Sequence, residues 1–291
     1  MRLSSLLTSL VYATALVAAH TSRCGSQLST EETVLAEDHF QANKVSVARF
    51  TEGSDDKYNI DVHFHVINTG DSLAEGNLED SHIEAQIAVL NEDYASTGFS
   101  FTLVNITRTL NADWFDNAVF RNSYGAEMKR ALRTGGPETL NIFTVGFTTR
   151  HPLFTGYSSY ASMMRTEPEI DGLVPDCLPT SVVRYNTLPG VGLPPYNMGR
   201  SATHTLGHWF GLYHTAQNAC GSLGDFVDDT PLEASEALGC PIGRDTCPDD
   251  PGLDPIHNFM DSTDDDCMKE FTPGQAQRMR EQVATYRGIV F

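Results

Sequence analysis

The stretch that decides the fold is residues 204–214, which read HTLGHWFGLYH. His204 and His208 are four residues apart, so on a helix both side chains leave the same face about one turn apart. His214 follows six residues after His208, and a continuing helix would rotate it by about 240° away from that face. Gly211 lies between them and can adopt the positive φ that ends a helix in a sharp turn. The spacing therefore predicts a helix that ends near Gly211 and three histidines that converge on one metal ion.

Three neutral imidazoles with one open position are typical of catalytic zinc. Unrelated surface or core histidines would explain one pair four residues apart, but a third histidine behind a glycine favours the metal. A purely structural zinc site would need a fourth protein ligand, and the sequence shows no evident fourth ligand near the three histidines. The pattern therefore indicates an open and reactive metal site.

Composition limits the class of protein and its partners. The chain has 291 residues, 40% of them hydrophobic, which is enough for at least one sizeable core, and it shows no internal repeat or low-complexity segment. Its formal net charge is −19, and no basic cluster is available to neutralise phosphates. Nucleic acids and membranes are therefore not expected as partners.

The N-terminal segment MRLSSLLTSLVYATALVAAH has the pattern of a secretory signal. Arg2 precedes an apolar run that ends in small residues, with Val17 and Ala19 placed as a cleavage site requires. The run is too short for a membrane span, and no second one follows it. We therefore expect a signal peptide over residues 1–19 and a secreted, extracellular protein; the alternative is a buried N-terminal helix.

Six cysteines and one sequon fit an exported protein. Thiols oxidise outside the cytosol, where disulfides persist. The sequence NIT at Asn105 is a candidate glycosylation site. The cysteines are Cys24, Cys177, Cys220, Cys240, Cys247 and Cys267.

The first half of the chain alternates predicted strands with predicted helices. In YNIDVHFHVIN, residues 58–68, apolar side chains alternate with polar ones, which predicts a strand with one face in the core. His63 and His65 lie on the other face, which we expect to be solvated or covered by a helix rather than to bind a metal. Alternating strands and helices predict an α/β fold class. Further strands are expected at 99–110 and 139–147, candidate edge strands at 159–163 and 181–187, and helices at 80–96 and 124–133.

The second half has a different composition. From Asp225 to Asp266 there are thirteen Asp and Glu residues and one Arg, Arg244, so this stretch must be solvated, screened by salt or neutralised by cations. It is also rich in Gly, Pro and Cys and has little periodicity. The last helix is predicted over residues 272–288, TPGQAQRMREQVATYRG, which begin with a capping threonine and a proline and end with a glycine. We therefore expect a small, irregular C-terminal lobe that ends in one helix.

Two motifs in this half resemble a known family. The histidine stretch is similar to the elongated zinc signature of the metzincins, H-E-x-x-H-x-x-G-x-x-H, and HNFMDSTDDDC at 257–267 resembles their Met-turn, with Met260 in the methionine position. The chain more narrowly resembles the pappalysin branch, particularly its secreted fungal-type peptidases. This resemblance runs from about Cys24 to the C-terminus and is strongest over residues 199–280. The segments that carry it are GRSATHTLGHWFGLYH, GDFVDDTPLE, GCPIGRDTC and FTPGQAQRMR.

The resemblance implies a metzincin fold, with a twisted mixed sheet, backing helices, a zinc helix, a cleft and an irregular C-terminal lobe. It implies that His204, His208 and His214 bind Zn²⁺ and that Met260 supports them without binding the metal. It also implies protein or peptide substrates. The disulfides that it implies are Cys220–Cys247 and Cys240–Cys267, which would hold the irregular lobe together.

We expect four segments along the chain. The first lobe is expected to include the zinc helix, and the second to include the Met-turn and the final helix. The segments are a signal peptide at 1–19, an N-terminal arm or short pro-segment at 20–45, the N-terminal lobe at 46–214 and the C-terminal lobe at 215–291.

Two positions depart from the family pattern. After its first zinc-binding histidine, the family has a glutamate that takes and returns the proton of the attacking water; Thr205 stands there in this chain, and its hydroxyl is a negligible base at neutral pH. Two residues after the Met-turn methionine, the branch has a tyrosine that stabilises the tetrahedral intermediate; Ser262 stands there in this chain. Such losses cost about 10²–10⁴ in rate and about 2.7–4 kcal/mol of transition-state stabilisation. We therefore predict a secreted zinc metalloendopeptidase with weakened hydrolysis; the alternative is an inactive zinc-binding pseudopeptidase that binds peptides or partners.

The acidic loop GDFVDDTPLE has two possible interpretations, a calcium site or a solvated loop. Hard carboxylates packed this closely need a cation or open water, so Asp225, Asp228 and Asp229 are candidate oxygen donors to Ca²⁺. The resemblance supports calcium, since the pappalysin branch is known for calcium in this lobe. The other reading is a solvated acidic loop.

Two cysteines remain after the implied disulfides. Cys24 and Cys177 are expected to pair, which would tie the N-terminal arm to the first lobe. Alternatively, RCGS at residues 23–26 resembles the cysteine switch of some metzincin zymogens, in which a thiolate fills the open zinc position until the arm is removed. The sequence alone leaves both possibilities open.

Overall fold

The computed structural model covers most of the chain outside its N-terminus. The predicted signal peptide and Cys177 lie outside the described residues. Within the described part of the chain, no helix is long enough and apolar enough to cross a membrane. The described residues are 23–49, 51, 57–148, 154–164, 178, 180–192, 194–221 and 223–291.

A five-stranded mixed sheet forms the centre of the first lobe. Its strands are β1 (Tyr58–Asn68), β2 (Phe99–Leu110), β3 (Leu140–Val145), β4 (Gly156–Ser158) and β5 (Thr180–Arg184). Their order in the sheet is β2-β1-β3-β5-β4, and all pairs are parallel except β4 with β5. The antiparallel strand β4 is therefore an edge of the sheet, and the predicted mixed-sheet α/β fold class is confirmed.

Six α-helices of the described residues surround the sheet and complete the second lobe. They are α1 (Thr30–Asn43), α2 (Asp80–Asp93), α3 (Ala112–Asn117), α4 (Ser123–Leu132), α5 (Arg200–Trp209) and α6 (Pro273–Arg287). The strands and helices predicted from periodicity in the first lobe are found close to their expected bounds. At 159–163, the chain forms a short 3₁₀ helix (Ala161–Met164) instead of an edge strand, and the edge is the three-residue β4 just before it.

Both faces of the sheet are covered by apolar side chains. On the face towards α2, α5 and α6, Ile60, Val62 and Phe64 of β1 belong to the largest buried cluster, as their alternation predicts. The opposite face packs on a smaller cluster that includes Phe143 and residues of α3 and α4. His65 is buried on that face, where its ring stacks on Phe143 with centroids 4.5 Å apart. The second face is thus covered rather than solvated at His65.

The N-terminal arm contains a helix that the sequence analysis did not predict. Ser29 and Glu32 form a reciprocal capping box at the start of α1, which is the local signal that would have identified it. The helix lies against α6, where Arg278 donates to both carboxylate oxygens of Glu37 at 2.7 and 3.2 Å. The arm is therefore fixed to the C-terminal lobe by a buried ion pair.

The C-terminal lobe is irregular, as expected, and is held by polar contacts and disulfides. Cys220 is bonded to Cys247 and Cys240 to Cys267, the pairing that the resemblance implies. Arg244, the single arginine of the acidic stretch, is within 3.0 Å of Glu233 and 2.6 Å of Asp254. Cross-links and buried ion pairs thus replace the core that this segment lacks.

Helix α6 fixes the end of the histidine helix. The capping threonine, the first-turn proline and the terminal glycine all occupy their predicted positions, with Gly288 at φ +66°. Arg278 donates to the carbonyl of Gly211 at 3.1 Å, and Arg287 donates to the carbonyl of Trp209 at 2.8 Å. The final helix of the chain therefore satisfies the carbonyl of Trp209 at the end of α5 and that of Gly211 in the turn after it.

Replacing Cys240 and Cys267 together by serine is expected to lower the free energy of unfolding by about 2–4 kcal/mol, because this disulfide closes a long loop in the unfolded chain. Urea denaturation followed by tryptophan fluorescence measures the loss. The closed loop contains Met260, so we also expect a lower zinc content, measured by elemental analysis.

The matched control is the double serine variant of Cys220 and Cys247, whose sequence separation is the same, 27 residues. It should lose similar stability but keep its zinc. Equal zinc loss in both variants would contradict a specific link between the second disulfide and the histidine site.

Candidate metal centre

The three predicted histidines converge in the structure. His204 and His208 lie on the same face of α5, and Gly211 adopts φ +91° directly after the helix, which brings His214 back towards them. The ring centroids are 4.6–5.1 Å apart, and all three side chains are buried. The helix end and the glycine turn predicted from the spacing are therefore both found.

The Nε2 atoms of the histidines point towards a common centre inside the protein. His204 Nδ1–H donates to the carbonyl of Phe259 at 2.8 Å, and His208 Nδ1–H donates to the carbonyl of Leu212 at 2.8 Å. Because a carbonyl only accepts, each Nε2 carries a lone pair. His204 Nε2 is buried without a hydrogen-bond partner. A buried unsatisfied acceptor of this kind fits a metal ligand.

The distances within the centre also fit a metal. The Nε2 atoms of His208 and His214 are 3.2 Å apart. Ligands about 2.0–2.1 Å from a tetrahedral zinc ion stand about 3.3 Å from one another. Two imidazole nitrogens at this distance are therefore spaced as neighbouring ligands of one ion.

The electrostatics favour neutral imidazoles. Burial, followed by repulsion between the charged forms of neighbouring histidines, lowers the pKa values of His204 and His208 well below 6.5. Burial also lowers the pKa of His214, whereas the carboxylate of Glu236 opposes that shift. All three side chains are therefore in the form that binds a metal at neutral pH.

Met260 lies directly beneath the histidine helix. A Cβ atom on Gly207 would overlap the Met260 sulfur, so only glycine fits at that position of α5. The backbone around Met260 also contacts the ligand segments, because Phe259 binds His204 and the carbonyl of Met260 accepts from Thr215 N at 3.2 Å. Met260 thus packs against the histidine helix, and its neighbours orient His204 and the segment after His214.

Cys24 is the fourth donor of the centre. Its Sγ is 3.3 Å from His208 Nε2, and it forms one group with the three histidines whose donor atoms all lie within 4.8 Å of one another. Burial raises the pKa of its thiol to about 12, so ionisation there needs a compensating cation. This position favours the cysteine-switch alternative. The predicted bond to Cys177 involves a residue outside the described part of the chain and stays a prediction.

The residues around Cys24 fix the arm across the cleft. Arg23 is buried and donates to the carbonyls of Ser262 and Thr263, and its guanidinium lies 3.7 Å from the ring centroid of Tyr196. On the other side, Gly25 N donates to the carbonyl of Gly156 at 2.9 Å. The arm therefore bridges the edge strand β4 and the Met-turn.

The two positions that depart from the family pattern are buried and hydrogen-bonded. The Thr205 hydroxyl donates to the carbonyl of Ala202 at 3.1 Å and accepts from Ser181 of β5 at 2.9 Å. The Ser262 hydroxyl donates to the carboxylate of Glu236 at 2.8 Å. Each hydroxyl is thus engaged in a hydrogen bond within the fold, whereas the family residue at the same position takes part in the chemistry.

The acidic loop does not gather its three aspartates into one donor group. Asp229 accepts from Thr272 Oγ1 and Gly274 N at 2.6 and 2.8 Å, at the start of α6. Asp225 is buried, and burial raises its pKa to about 7. Among the described residues, no metal-like group includes Asp225, Asp228 or Asp229. Calcium binding by this loop stays a prediction.

Two residues of the site carry no signal in the sequence. Gly156 acts through tertiary contacts of the arm with β4. Glu236 is one of the thirteen acidic residues between Asp225 and Asp266, and nothing in its neighbours along the chain distinguishes it. Asn105, the sequon residue, lies exposed on β2.

Solved structures similar to this chain include two forms of one metalloprotease. The first, a mutant of Tannerella forsythia promirolysin, shares 25% identity and has a TM-score of 0.68, over 90% of this chain and 94% of that one. The second, mature mirolysin in complex with a cleaved peptide, shares 26% identity and has a TM-score of 0.62, over 78% and 92% of the two chains. The fold of this chain therefore has solved counterparts.

Sequence comparison gives the same family. The family model described as "Pregnancy-associated plasma protein-A", peptidase family M43, matches residues 181–284. An extracellular metalloprotease of Pyricularia oryzae is 41% identical over 273 residues, which cover 91% of this chain and 89% of the relative. An extracellular metalloprotease of Verticillium alfalfae is 43% identical over 231 residues, which cover 79% and 77%. The chain belongs to the pappalysin-like M43 family of extracellular metalloproteases.

Proposed function

We propose that this protein is a zinc-dependent endopeptidase, exported as a latent precursor, that cleaves extracellular proteins or peptides at a lowered rate. The observation that carries the proposal is the group of three buried histidines whose donor atoms lie close to one another and to the thiol of Cys24. Three imidazoles and a thiol are ligands that zinc prefers, and tetrahedral spacing suits it. When bound, zinc polarises a carbonyl oxygen and lowers the pKa of a water to about 7.

Peptide binding at the edge strand is part of this proposal. In the structure, Gly25 pairs with Gly156, and Ser26 Oγ accepts from Ser158 N at 2.8 Å, so the arm uses the free hydrogen-bonding groups of β4. A substrate in extended form can use the same groups once the arm has left, because main-chain hydrogen bonds do not depend on side-chain identity. The solved complex of mature mirolysin with a cleaved peptide supports peptide substrates.

Latency follows from the position of the arm. Residues 23–26 occupy both the centre and the edge strand, so they exclude a substrate from both. The similarity to promirolysin covers 90% of this chain, whereas that to mature mirolysin covers 78%, which supports a removable N-terminal segment. We therefore assign residues 20–45 to a pro-segment, after a signal peptide at 1–19, with the two lobes at 46–214 and 215–291.

The lowered rate follows from Thr205 and Ser262. Thr205 has no basic group, and its hydroxyl is already bonded to Ala202 and Ser181. The proton transfer that a carboxylate provides there contributes about 10²–10⁴ in rate. The same observation favours the second candidate function, a zinc-binding pseudopeptidase that holds peptides without cleaving them, and the activity measurements below separate the two.

Zinc is expected at one ion per chain, and His208→Ala is expected to abolish it, because His208 faces both His214 and Cys24. Elemental analysis of the purified protein measures the content. The control is His82→Ala on α2, since His82 is not part of the donor group and should leave zinc unchanged. Full zinc content in His208→Ala would contradict the ligand assignment.

Thr205→Glu is expected to raise kcat on the order of 10²-fold, because it returns a proton carrier to the helix position beside the first ligand. Casein or a fluorogenic peptide is a suitable substrate, with equal zinc occupancy in all samples. The matched control is Thr205→Gln, which has a similar length but no basic group and should give no gain. An unmodified protein that already cleaves casein as fast as Thr205→Glu would contradict the lowered rate, and no cleavage by any variant would favour the pseudopeptidase.

Cys24→Ser is expected to raise the activity of the full chain at least tenfold in the Thr205→Glu background, because a serine hydroxyl is a far weaker zinc ligand than a thiolate. Initial rates before and after proteolytic removal of the arm measure the effect. Glu31→Gln, an exposed change on α1, is the control and should remain latent. Latency that survives Cys24→Ser unchanged would show that the thiol does not control access.

A further inference from the structure

The two disulfides of the C-terminal lobe form a matched pair, the first between Cys220 and Cys247 and the second between Cys240 and Cys267. Each joins cysteines 27 positions apart, and in each the first cysteine is exposed while the second is buried. An external thiolate therefore reaches Cys220 or Cys240, and the buried cysteine is the leaving group. Loop length and exposure do not distinguish the two disulfides, so a difference in reactivity must come from their neighbours.

A different ionisable side chain lies beside each disulfide. A carboxylate oxygen of Asp250 is within 4.8 Å of both sulfurs of the first disulfide. A ring nitrogen of His257 is within 4.8 Å of both sulfurs of the second, and its Nδ1 is 3.5 Å from the Cys267 sulfur. A carboxylate repels a thiolate, whereas an imidazole N–H donates to it and an imidazolium attracts it. The second disulfide therefore has a neighbour that favours the leaving thiolate, and the first has one that opposes it.

The fold holds His257 against the buried cysteine of the second disulfide. Its Nδ1–H donates to the carbonyl of Cys267 at 2.7 Å, and its own carbonyl accepts from Lys269 N at 2.7 Å. The carbonyl of Ile256 lies 3.5 Å from the Cys267 sulfur. The imidazole N–H is thus within reach of a thiolate formed at Cys267, and the Ile256 carbonyl can accept from the thiol once that thiolate has taken up a proton.

We propose that Cys240 is a site of thiol–disulfide exchange with small aminothiols, and that His257 directs the exchange to the second disulfide. The attacking sulfur bonds to Cys240 Sγ as the bond to Cys267 breaks, and the electron pair of that bond stays on Cys267 Sγ beside the His257 N–H. The Cys267 thiolate takes up the proton that the attacking thiol released, so the products are a mixed disulfide at Cys240 and a thiol at Cys267. A second thiol molecule displaces Cys240, so one small-molecule disulfide forms for each protein disulfide that is reduced.

The charge of the lobe selects the class of thiol. Thirteen acidic residues and one arginine lie between Asp225 and Asp266, a stretch that includes Cys240. This field repels an anionic thiol and attracts a cationic one. We therefore expect cysteamine, which carries an ammonium group, to react faster at Cys240 than mercaptoethanesulfonate at equal thiolate concentration. Equal rates for the two thiols would overturn the assignment to aminothiols.

Exchange at this site loosens the segment on which the metal centre and the arm both rest. Asp264 N donates to the carbonyl of Gly239 at 3.0 Å, directly beside the second disulfide. In the same segment, the carbonyls of Ser262 and Thr263 accept from Arg23 of the arm. This disulfide also closes the loop that contains the Met-turn, so we expect its opening to lower the zinc content. That consequence rests on the proposed zinc centre, whereas the exchange itself does not.

Peptide mapping measures the exchange at each disulfide. The zinc-loaded full chain is incubated with cysteamine under native conditions, thiols are blocked with iodoacetamide at timed intervals, and mass spectrometry follows each cysteine. We expect the second disulfide to open on the order of tenfold faster than the first, with cysteamine on Cys240 and the blocked thiol on Cys267. Equal rates, or faster opening of the first disulfide, would overturn the proposal.

Substitutions of the two neighbours test the direction of the exchange. His257→Asn keeps an N–H donor near the Cys267 carbonyl but cannot carry a positive charge, so we expect it to slow the second disulfide on the order of tenfold and leave the first unchanged. Asp250→Asn removes the carboxylate beside the first disulfide and is expected to speed its opening. The control is His82→Asn, since this imidazole on α2 belongs to neither donor group of the described residues.

Unchanged rates in His257→Asn and Asp250→Asn would show that these neighbours do not direct the exchange. Should His257→Asn fail to fold, Asp250→Asn tests the same electrostatic argument on the first disulfide, where an unchanged rate would contradict it.

Zinc analysis of the same samples tests the consequence for the metal centre. Zinc is expected to be lost in step with the opening of the second disulfide. His257→Asn, which meets the same cysteamine but exchanges slowly, should retain its zinc, which controls for direct chelation. Full modification of Cys240 with zinc retained would contradict the link to the centre and leave the proposed zinc site standing. A chain that holds no zinc before cysteamine is added would contradict the proposed function, and the exchange rates would still decide the role of His257.

Discussion

The close packing of the Met260 sulfur against Gly207 is the contact on which the rest of the site depends. It brings the C-terminal lobe under the ligand helix of the N-terminal lobe, with no room for a side chain at position 207. In that arrangement, the carbonyl of Phe259 can orient His204, and the carbonyl of Met260 can hold the chain just after His214. The arrangement of the three histidines therefore depends on the assembly of both lobes, so the disulfides and buried ion pairs of the irregular lobe also support the histidine group.

The N-terminal arm contacts each of the elements that build the centre. Arg23 binds the Met-turn, Cys24 lies among the histidines and Gly25 pairs with the edge strand. Helix α1 then anchors the arm on α6 through the pair between Glu37 and Arg278. Several contacts on different elements cooperate in this way and hold the arm across the site, although none of them is a covalent bond.

The sequence by itself determined the elements whose signal is local. The spacing of the three histidines and the glycine that follows the helix predicted that the three side chains converge, because helix periodicity and a positive φ are properties of neighbouring residues. In the same way, the alternation of apolar and polar residues predicted β1, and the capping threonine, the proline and the terminal glycine predicted α6. The helix in the arm also had a local signal, the Ser29 and Glu32 capping box, which the polar composition of the arm obscured.

Only the tertiary structure decided which distant residues meet. Cys24 is 184 residues from His208, which its sulfur contacts, and Glu236 is 26 residues from Ser262, which donates a hydrogen bond to it. No periodicity reports such contacts, since they depend on how the two lobes and the arm pack. The acidic loop shows the same limit, since the contacts of Asp229 with Thr272 and Gly274 at the start of α6 depend on tertiary packing.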